Sequence, residues 1–569
     1  MLKFRRSAKR GVATVLLSGA ALAAVMSSAP AAERFRDAGL ASVYLAGRHA
    51  ETAGDTSRAV TYLSRAIELD PNNQSIRQTA YFLALQAGDY GRAIPEARKS
   101  FDAAPRRGMA AMIVAAEHMK RGEYDRAWAI IDKIPTQNVA GFALPLLRAW
   151  AAAGTQPAEK AVAELQAMKT VRGSADLVEI MTGQLYESYG KSADALAHYD
   201  TVAARVESER ISEVLMAAEG YDRLGKTAQA KTLLTKFLAS HPGVVSPTVD
   251  AYMELLGHSA FGKVTPATGM ASALYAAAEM LISSDPNEFG AQIGVAFAQT
   301  ALYLNPDLSI ARRFVGATLA ARNRLDEANA MLTSIKHGTP GYFEAQIQVA
   351  ENLARANKTA EALTVLKGLL KDRPNWVDVH LAVGDIYRRE KKFPEAVEAY
   401  DAAIKLTPDT QSNAWALYYT RGMALERAKN WDAAEKDFRK ALKLKPEEPS
   451  VLNYLGYSYL DRGVNLKEGR KLIEQAYNKK PDDGYIVDSM GWALFMNGEF
   501  DQAVQHLEKA VESAPGDATI NEHLGDAYWR VGRQAEARFQ WERALVLGPE
   551  EQAQRNAIAN KIEKGLARK

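Results

Sequence analysis

The chain repeats a small residue at a nearly constant spacing over most of its length. Successive members lie 34 or 35 residues apart, except for one step of 38 residues and one of 64. A second small residue generally lies twelve positions earlier. This spacing predicts a short structural unit stacked many times, because one such unit cannot bury its apolar face alone. The repeated residues are Ala59, Ala93, Ala127, Ala161, Ala195, Ala230, Gly294, Ala328, Ala362, Ala396, Ala434, Gly469, Ala503 and Ala537.

Each unit is predicted to be a pair of antiparallel helices. A proline often follows the repeated small residue by twelve positions, where it ends the second helix because it cannot continue one. Glycine inside a helix costs about 1 kcal/mol relative to alanine, so its regular return predicts close packing of the two helices. Strand-like alternation is weak throughout. The phased prolines are Pro71, Pro105, Pro242, Pro306, Pro340, Pro374, Pro408, Pro446, Pro481, Pro515 and Pro549.

The last repeats carry their residues in a recognisable order. That order is Leu524-Gly525, Tyr528, Ala537, Trp541, Ala544 and Pro549. It resembles the tetratricopeptide repeat (TPR), a helix-turn-helix unit of about 34 residues. The resemblance implies an all-α fold, a TPR-type solenoid coiled into a right-handed superhelix of about 12 to 14 helix pairs. The aromatic residues expected beside the small ones are Tyr387, Tyr400, Phe438, Tyr459, Tyr528 and Trp541.

The repeat pattern divides the chain into five predicted segments. The 64-residue step leaves about 30 extra residues near Gly243 to Met270, which are interpreted as a degenerate helix pair, a hinge or a partner-binding insert. Ile558, Ile562 and Leu566 form one apolar stripe that suits a capping helix. The segments are 1–32 (signal peptide), 33–242 (degenerate repeats), 243–281 (insert or junction), 282–550 (TPR repeats) and 551–569 (capping helix).

The first segment has the pattern of an export signal. Lys3, Arg5, Arg6, Lys9 and Arg10 precede a stretch of small and apolar residues without acids. Cleavage is expected near Ala31 or Ala32, which predicts a periplasmic protein, with an uncleaved membrane anchor as the alternative.

Composition excludes several classes of chemistry. The chain has no cysteine, so disulfides, thiol nucleophiles, cysteine-ligated zinc and iron–sulfur sites are excluded, as is a lipid-modified cysteine. The 71 Lys+Arg and 68 Asp+Glu nearly balance. A balanced charge predicts no nucleic-acid partner, while peripheral membrane association stays open.

One stretch of the chain matches a phosphate-binding motif of enzymes. Gly220 to Thr227 matches the phosphate-binding pattern GxxxxGKT, but a phosphate loop follows a buried strand, whereas the preceding residues read as a helix. None of the nine histidines has metal-ligand spacing, so they are interpreted as scattered surface residues. The chain is therefore predicted to be no enzyme and to need no cofactor or metal. An ATP-dependent enzyme that uses Lys226 is the remaining catalytic alternative.

The repeat predicts a protein-binding groove. The first helix of each unit lines the inner wall of such a solenoid, and aromatic residues beside carboxylates favour binding to other proteins. An alternative role for each aromatic residue is packing between adjacent repeats. The predicted groove residues are Tyr419, Asn453, Tyr457, Asp488, Trp492, Phe495, Glu522, Asp526 and Trp529.

A more specific resemblance covers the C-terminal repeats, from about Ala414 to Leu547. Segments such as Leu452 to Ser458 and Asn521 to Arg530 resemble exported TPR proteins of Gram-negative bacteria. These include the periplasmic adaptor lipoprotein of a carboxy-terminal processing protease. The resemblance implies a scaffold that brings peptidoglycan-remodelling hydrolases to that protease, although the lipobox cysteine is missing. The alternative is an assembly or secretion factor for envelope structures or exported polysaccharide.

Overall fold

The computed structural model describes residues 38–105, 108–135, 143–171, 174–206, 211–241, 246–284, 288–549 and 551–566. Those residues form thirty α-helices, one short 3₁₀-helix and no β-strand. The all-α prediction is therefore confirmed. The predicted signal segment and its cleavage site lie outside the described residues.

The helices group into two compact units, the first ending at Ala356 and the second beginning at Asn357. This boundary differs from the junction predicted at 243–281. The helices of the first unit are α1 (Leu40–Thr52), α2 (Thr56–Leu69), α3 (Gln74–Gln86), α4 (Tyr90–Ala103), α5 (Gly108–Lys120), α6 (Tyr124–Ile131), α7 (Leu144–Ala152), α8 (Ala158–Glu164), the 3₁₀-helix Leu165–Thr170, α9 (Ala175–Ser188), α10 (Ser192–Ala204), α11 (Ile211–Arg223), α12 (Thr227–Ser240), α13 (Ser246–Leu255), α14 (Pro266–Ser284), α15 (Glu288–Leu304), α16 (Ser309–Ala321), α17 (Leu325–Thr333) and α18 (Tyr342–Arg355).

The second unit contains twelve helices among the described residues. They are α19 (Thr359–Asp372), α20 (Val377–Arg389), α21 (Phe393–Leu406), α22 (Ala414–Arg427), α23 (Trp431–Leu444), α24 (Pro449–Asp461), α25 (Leu466–Lys479), α26 (Gly484–Met496), α27 (Phe500–Ser513), α28 (Ala518–Arg530), α29 (Gln534–Leu547) and α30 (Gln552–Lys564).

Consecutive helices pack as antiparallel pairs within each unit. Among the residues that the structure describes, the first unit holds eight such pairs, with α13 and α18 outside them, and the second holds five pairs between α19 and α30. These thirteen pairs fall within the predicted range. The expected capping helix is also present, because α30 follows the last pair and buries Ile558 against it.

Close packing explains the small residue in the first helix of each pair. A Cβ atom on Gly384 would lie 2.4 Å from the Tyr400 ring, and one on Gly525 would lie 2.5 Å from the Trp541 indole. Both aromatic side chains are fully buried. Van der Waals packing of the ring against the bare backbone thus offsets the helical cost of glycine, as the repeat pattern predicts.

Acidic residues after the phased prolines begin the next helices. The Asp483 side chain accepts hydrogen bonds from the backbone N–H groups of Tyr485 and Ile486 at the start of α26. Asp517 does the same at the start of α28. Each carboxylate satisfies N–H groups that have no partner inside the helix and complements the positive end of the helix dipole.

The 64-residue step corresponds to α13 and to an unusually long helix pair. Helix α14 has 19 residues and α15 has 17, whereas most of the others have 13 or 14. We call this pair the α14–α15 hairpin. Helix α14 contacts α5, α7 and α9, and α15 contacts α3 and α5. These partners are first helices of earlier repeats, so the hairpin folds back onto the inner wall of the first unit.

Candidate protein-binding surface

The predicted groove residues lie on the first helices of four consecutive pairs in the second unit, α22, α24, α26 and α28. Helix α24 contacts α26, and α26 contacts α28, so these three form a continuous inner wall. The structure divides the nine predicted residues into two groups. One group is half-buried on this wall, and the other is covered by neighbouring elements.

An aromatic group occupies α22 and α24. Tyr419 is half-buried, and its ring centroid lies 5.9 Å from that of Tyr454 in a T-shaped arrangement. Burial raises the pKa of Tyr419 to about 12. Asn453 lies on α24, and its amide oxygen is buried and accepts no hydrogen bond from the described residues. This part of the wall therefore offers partly exposed aromatic surface, while the Asn453 oxygen is buried.

A stack of rings continues the wall on α26. The Trp492 ring lies between Phe495, at 4.7 Å between centroids, and His523 of α28, at 4.0 Å. The Tyr457 ring reaches the same histidine from α24, at 6.2 Å. Tyr457, Trp492 and Phe495 remain half-buried. Trp492 thus combines both roles considered for the aromatic residues, because it packs between repeats and also keeps part of its surface open.

Asp488 lies beneath this stack. It is 6% exposed, and its carboxylate oxygens lie 3.0 and 3.1 Å from Nδ1 of His523. Burial by itself would lower the pKa of His523, but the charge and hydrogen bond of Asp488, with Asp526 and Glu522 nearby, raise that pKa above its usual value. Asp488 therefore holds a buried histidine in place instead of facing a partner.

Glu522 and Asp526 differ most from the prediction, because the capping helix covers them. Nζ of Lys561 lies 2.7 Å from a carboxylate oxygen of both Glu522 and Asp526, which are buried. Nε1 of Trp541 donates a 2.8 Å hydrogen bond to Asp526. These two carboxylates join the last repeat to α30 and do not line an open groove. Trp529 packs against Gly565, directly after α30, and stays half-buried.

His523 is the residue that sequence reasoning placed wrongly. The sequence predicts surface positions for the nine histidines, yet His523 is 6% exposed and stacks on the Trp492 ring. A signal was available in the repeat: His523 precedes Gly525 by two positions, as Tyr454 precedes Gly456 and Ser489 precedes Gly491. Residues at this phase lie on the first helix beside the small residue, where neighbouring helices pack.

The phosphate-loop pattern has a different structural role. Gly220 lies inside α11 and approaches the Tyr199 ring, while Gly225 and Lys226 form the turn before α12. Oγ1 of Thr227 donates a 2.6 Å hydrogen bond to Asp222. A helix, not a strand, precedes this turn, as the sequence predicts. Within the described ranges, no set of three acidic or histidine residues is placed to hold a metal ion.

Comparison with protein families identifies the repeat. Models described as tetratricopeptide repeat match residues 41–73, 214–243, 350–410, 415–448 and 489–556. The chain contains tetratricopeptide repeats. The TPR matches lie in both units. None of the helices in the described part of this TPR chain is both long and apolar enough to cross a lipid bilayer.

Individual relatives share only short stretches with this TPR chain. It is 37% identical over 110 residues to the TPR repeat-containing protein PA4667 of Pseudomonas aeruginosa, covering 19% of this chain and 18% of that protein. It is 31% identical over 99 residues to the aspartyl/asparaginyl beta-hydroxylase of Mus musculus, covering 17% of this chain and 13% of the hydroxylase. The chain therefore spans less than a fifth of either relative.

Solved structures match over longer stretches at low identity. The Cut9 complex with Hcn1, from the APC/C, matches with 15% identity and a TM-score of 0.38, covering 93% of this chain and 96% of the matched chain. Yeast Tom70 matches with 14% identity and a TM-score of 0.36, covering 92% and 95%.

Proposed function

We propose that this chain is a non-catalytic scaffold that binds segments of other proteins on the inner wall formed by its first helices. The observation that carries the proposal is the half-buried ring group of Tyr457, Trp492 and Phe495. Large aromatic side chains provide contact area at a low cost in conformational entropy, and they are enriched among the residues that dominate binding energy.

We further propose that the scaffold acts in the periplasm as an adaptor that delivers envelope proteins to a carboxy-terminal processing protease. The signal-like first segment, residues 1–32, supports export. The resemblance of residues 414–547 to exported adaptor proteins supports the client class, peptidoglycan-remodelling hydrolases. In this proposal the protease is a separate protein. The scaffold binds the hydrolases and brings them close to it.

Affinity capture after mild crosslinking tests the scaffold role. Trp492→Ala removes the centre of the ring stack, while Phe539→Ala removes an aromatic side chain that is 60% exposed on α29 and serves as the matched control. Wild type and Phe539→Ala should recover the same proteins, and Trp492→Ala should recover them at least tenfold less. Far-UV circular dichroism checks that each variant is folded. Equal recovery from all three chains would contradict the proposal.

Deletion of the gene separates the adaptor role from the alternative of an assembly factor. Loss of an adaptor should stabilise specific hydrolases, because they no longer reach the protease. Loss of an assembly factor should instead impair the export of envelope material while hydrolase levels stay constant. Pulse-chase measurement of hydrolase half-lives, with secretion assayed in the same cells, distinguishes the two outcomes.

A further inference from the structure

The inner wall of the first unit is covered by the chain's own α14–α15 hairpin. Helix α14 lies against α7, where a Cβ atom on Gly269 would come within 2.2 Å of the Trp150 ring. Met270, Leu274 and Phe297 of the hairpin are almost fully buried in one apolar cluster with side chains of α5 and α7. The surface that a solenoid offers to partners is thus already occupied in this unit.

Polar contacts fix the position of the hairpin. Gln299 of α15 is 1% exposed, and its amide nitrogen donates a 3.2 Å hydrogen bond to the carbonyl of Gln86. The Tyr90 hydroxyl lies 2.9 Å from the side-chain oxygen of Gln299. Nζ of Lys120 lies 2.5 Å from the Tyr303 carbonyl and 4.0 Å from the centroid of its ring. Buried polar groups with matched partners specify one register, because any shift would leave them unpaired.

Two tryptophans at the same repeat phase show the difference between the units. Trp150 follows Ala149 in α7, and Trp492 follows Gly491 in α26, so each comes directly after the small residue of a first helix. Trp150 is 0% exposed beneath the hairpin. Trp492 is half-buried within the wall of the second unit. At these two positions, the same phase therefore gives a fully buried side chain in the first unit and a half-buried one in the second.

We infer that the α14–α15 hairpin is a built-in ligand that keeps the inner wall of the first unit closed to segments of other proteins at α3, α5 and α7. This inference rests on the proposed scaffold function and excludes this wall from its binding surface. The hairpin is largely apolar, since Pro266–Ser284 and Glu288–Leu304 each contain a single charged residue. Helices of that kind are stable only when surrounded by protein, which argues against release into water to admit a partner.

Site-specific photocrosslinking in the full chain tests the inference. Trp150→p-benzoylphenylalanine and Trp492→p-benzoylphenylalanine place the same probe at the same phase of the two units. Position 492 should give at least tenfold more adduct with other proteins than position 150. Position 150 should instead crosslink to peptides of α14, which mass spectrometry identifies. These internal crosslinks also show that the unit is folded.

A second pair of positions guards against a folding defect at position 150. Phe82→p-benzoylphenylalanine in α3 and Tyr457→p-benzoylphenylalanine in α24 occupy the same phase, and Phe82 is only partly buried. Adducts with other proteins at position 82 or 150 that match those at 457 or 492 would overturn the inference and leave the scaffold function intact. Internal crosslinks at 150 with no intermolecular adduct at any position, and no captured partner, would overturn the scaffold function instead.

Discussion

At the scale of single residues, several glycines of the first helices pack against an aromatic ring, as Gly525 does. Gly525→Ala would place a methyl group 2.5 Å from the Trp541 indole. The overlap costs about 1–3 kcal/mol, against a gain of about 1 kcal/mol that alanine brings to a helix. We expect a net loss of up to about 2 kcal/mol in the free energy of unfolding, measured by urea denaturation of the full chain.

Gly368→Ala is the matched control for that substitution. Gly368 lies inside α19, and no atom lies within 4 Å of a Cβ built there. Helix propensity acts alone at this position, so the variant should be more stable than wild type by up to about 1 kcal/mol. Stabilisation by both variants would show that the contact with the Trp541 ring does not constrain Gly525.

The buried histidine predicts a dependence of stability on pH. Asp488 and its neighbours raise the pKa of His523 above its usual value of about 6.5. A group whose pKa is higher in the folded state than in the unfolded state stabilises the fold fully below the unfolded pKa. That contribution is lost as pH rises through the folded pKa. We therefore expect wild type to lose stability above neutral pH relative to its stability near pH 5.5.

Urea midpoints measured between pH 5.5 and pH 9 check this expectation. His523→Gln should be less stable at low pH and should show a flatter profile. His506→Gln is the matched control, because His506 lies on α27 and its Nδ1 lies 3.0 Å from a backbone carbonyl of the same helix. Its profile should follow wild type. A wild-type profile as flat as that of His523→Gln would contradict the role assigned to the pair with Asp488.

At the scale of helices, one cation of the capping helix, Lys561, pairs with two buried carboxylates of the last repeat. Lys561→Met leaves Glu522 and Asp526 buried with no cation on α30 facing them. Removing one partner from a buried ion pair is strongly destabilising, and the loss here should be about 2–4 kcal/mol because Lys561 is partly exposed. Hydrogen exchange should show faster exchange in α30 and α28. Lys564→Met, at an exposed position of the same helix, should exchange like wild type.

The α14–α15 hairpin makes a prediction of its own about stability. Phe297 of α15 is fully buried in the apolar cluster of the first unit. Phe297→Ala should lower the free energy of unfolding by about 3–5 kcal/mol, through lost burial and the cavity left behind. Phe539→Ala, at an exposed position, should change it by less than about 0.5 kcal/mol. A change in Phe297→Ala as small as in the control would mean that the hairpin is not part of the core.

The sequence predicts which segments form helix pairs better than it predicts which distant helices pack together. The pairs came from a period of 34 residues, and the fully buried Tyr400, Phe438 and Trp541 occupy the expected contact with the small residue. The fold-back of α14 and α15 was not predicted, because contacts between repeats distant in sequence leave no period. The near absence of charge in these two helices was an available signal, since a helix that is apolar on every side is buried on every side.

At the scale of the whole molecule, export is predicted by the first 32 residues alone. The mature protein, recovered from the periplasmic fraction, should begin directly after Ala31 or Ala32. N-terminal sequencing measures this directly. A chain that still begins at Met1 and sediments with membranes would indicate an uncleaved anchor and would contradict the predicted cleavage.

The amino-acid sequence by itself determined the class of fold, the helix pairs and the contact between glycine and ring, because these depend on residues less than one repeat apart. Only the tertiary structure decided which surfaces stay open. Trp150 and Trp492 share a phase, yet the hairpin buries Trp150, whereas Trp492 is half-buried on its own unit. Asp488, Glu522 and Asp526 look like groove residues until His523 and Lys561 are seen to pair with them. The exposure of a side chain depends on every element that packs against it, and a local sequence pattern does not show which elements distant in sequence do so.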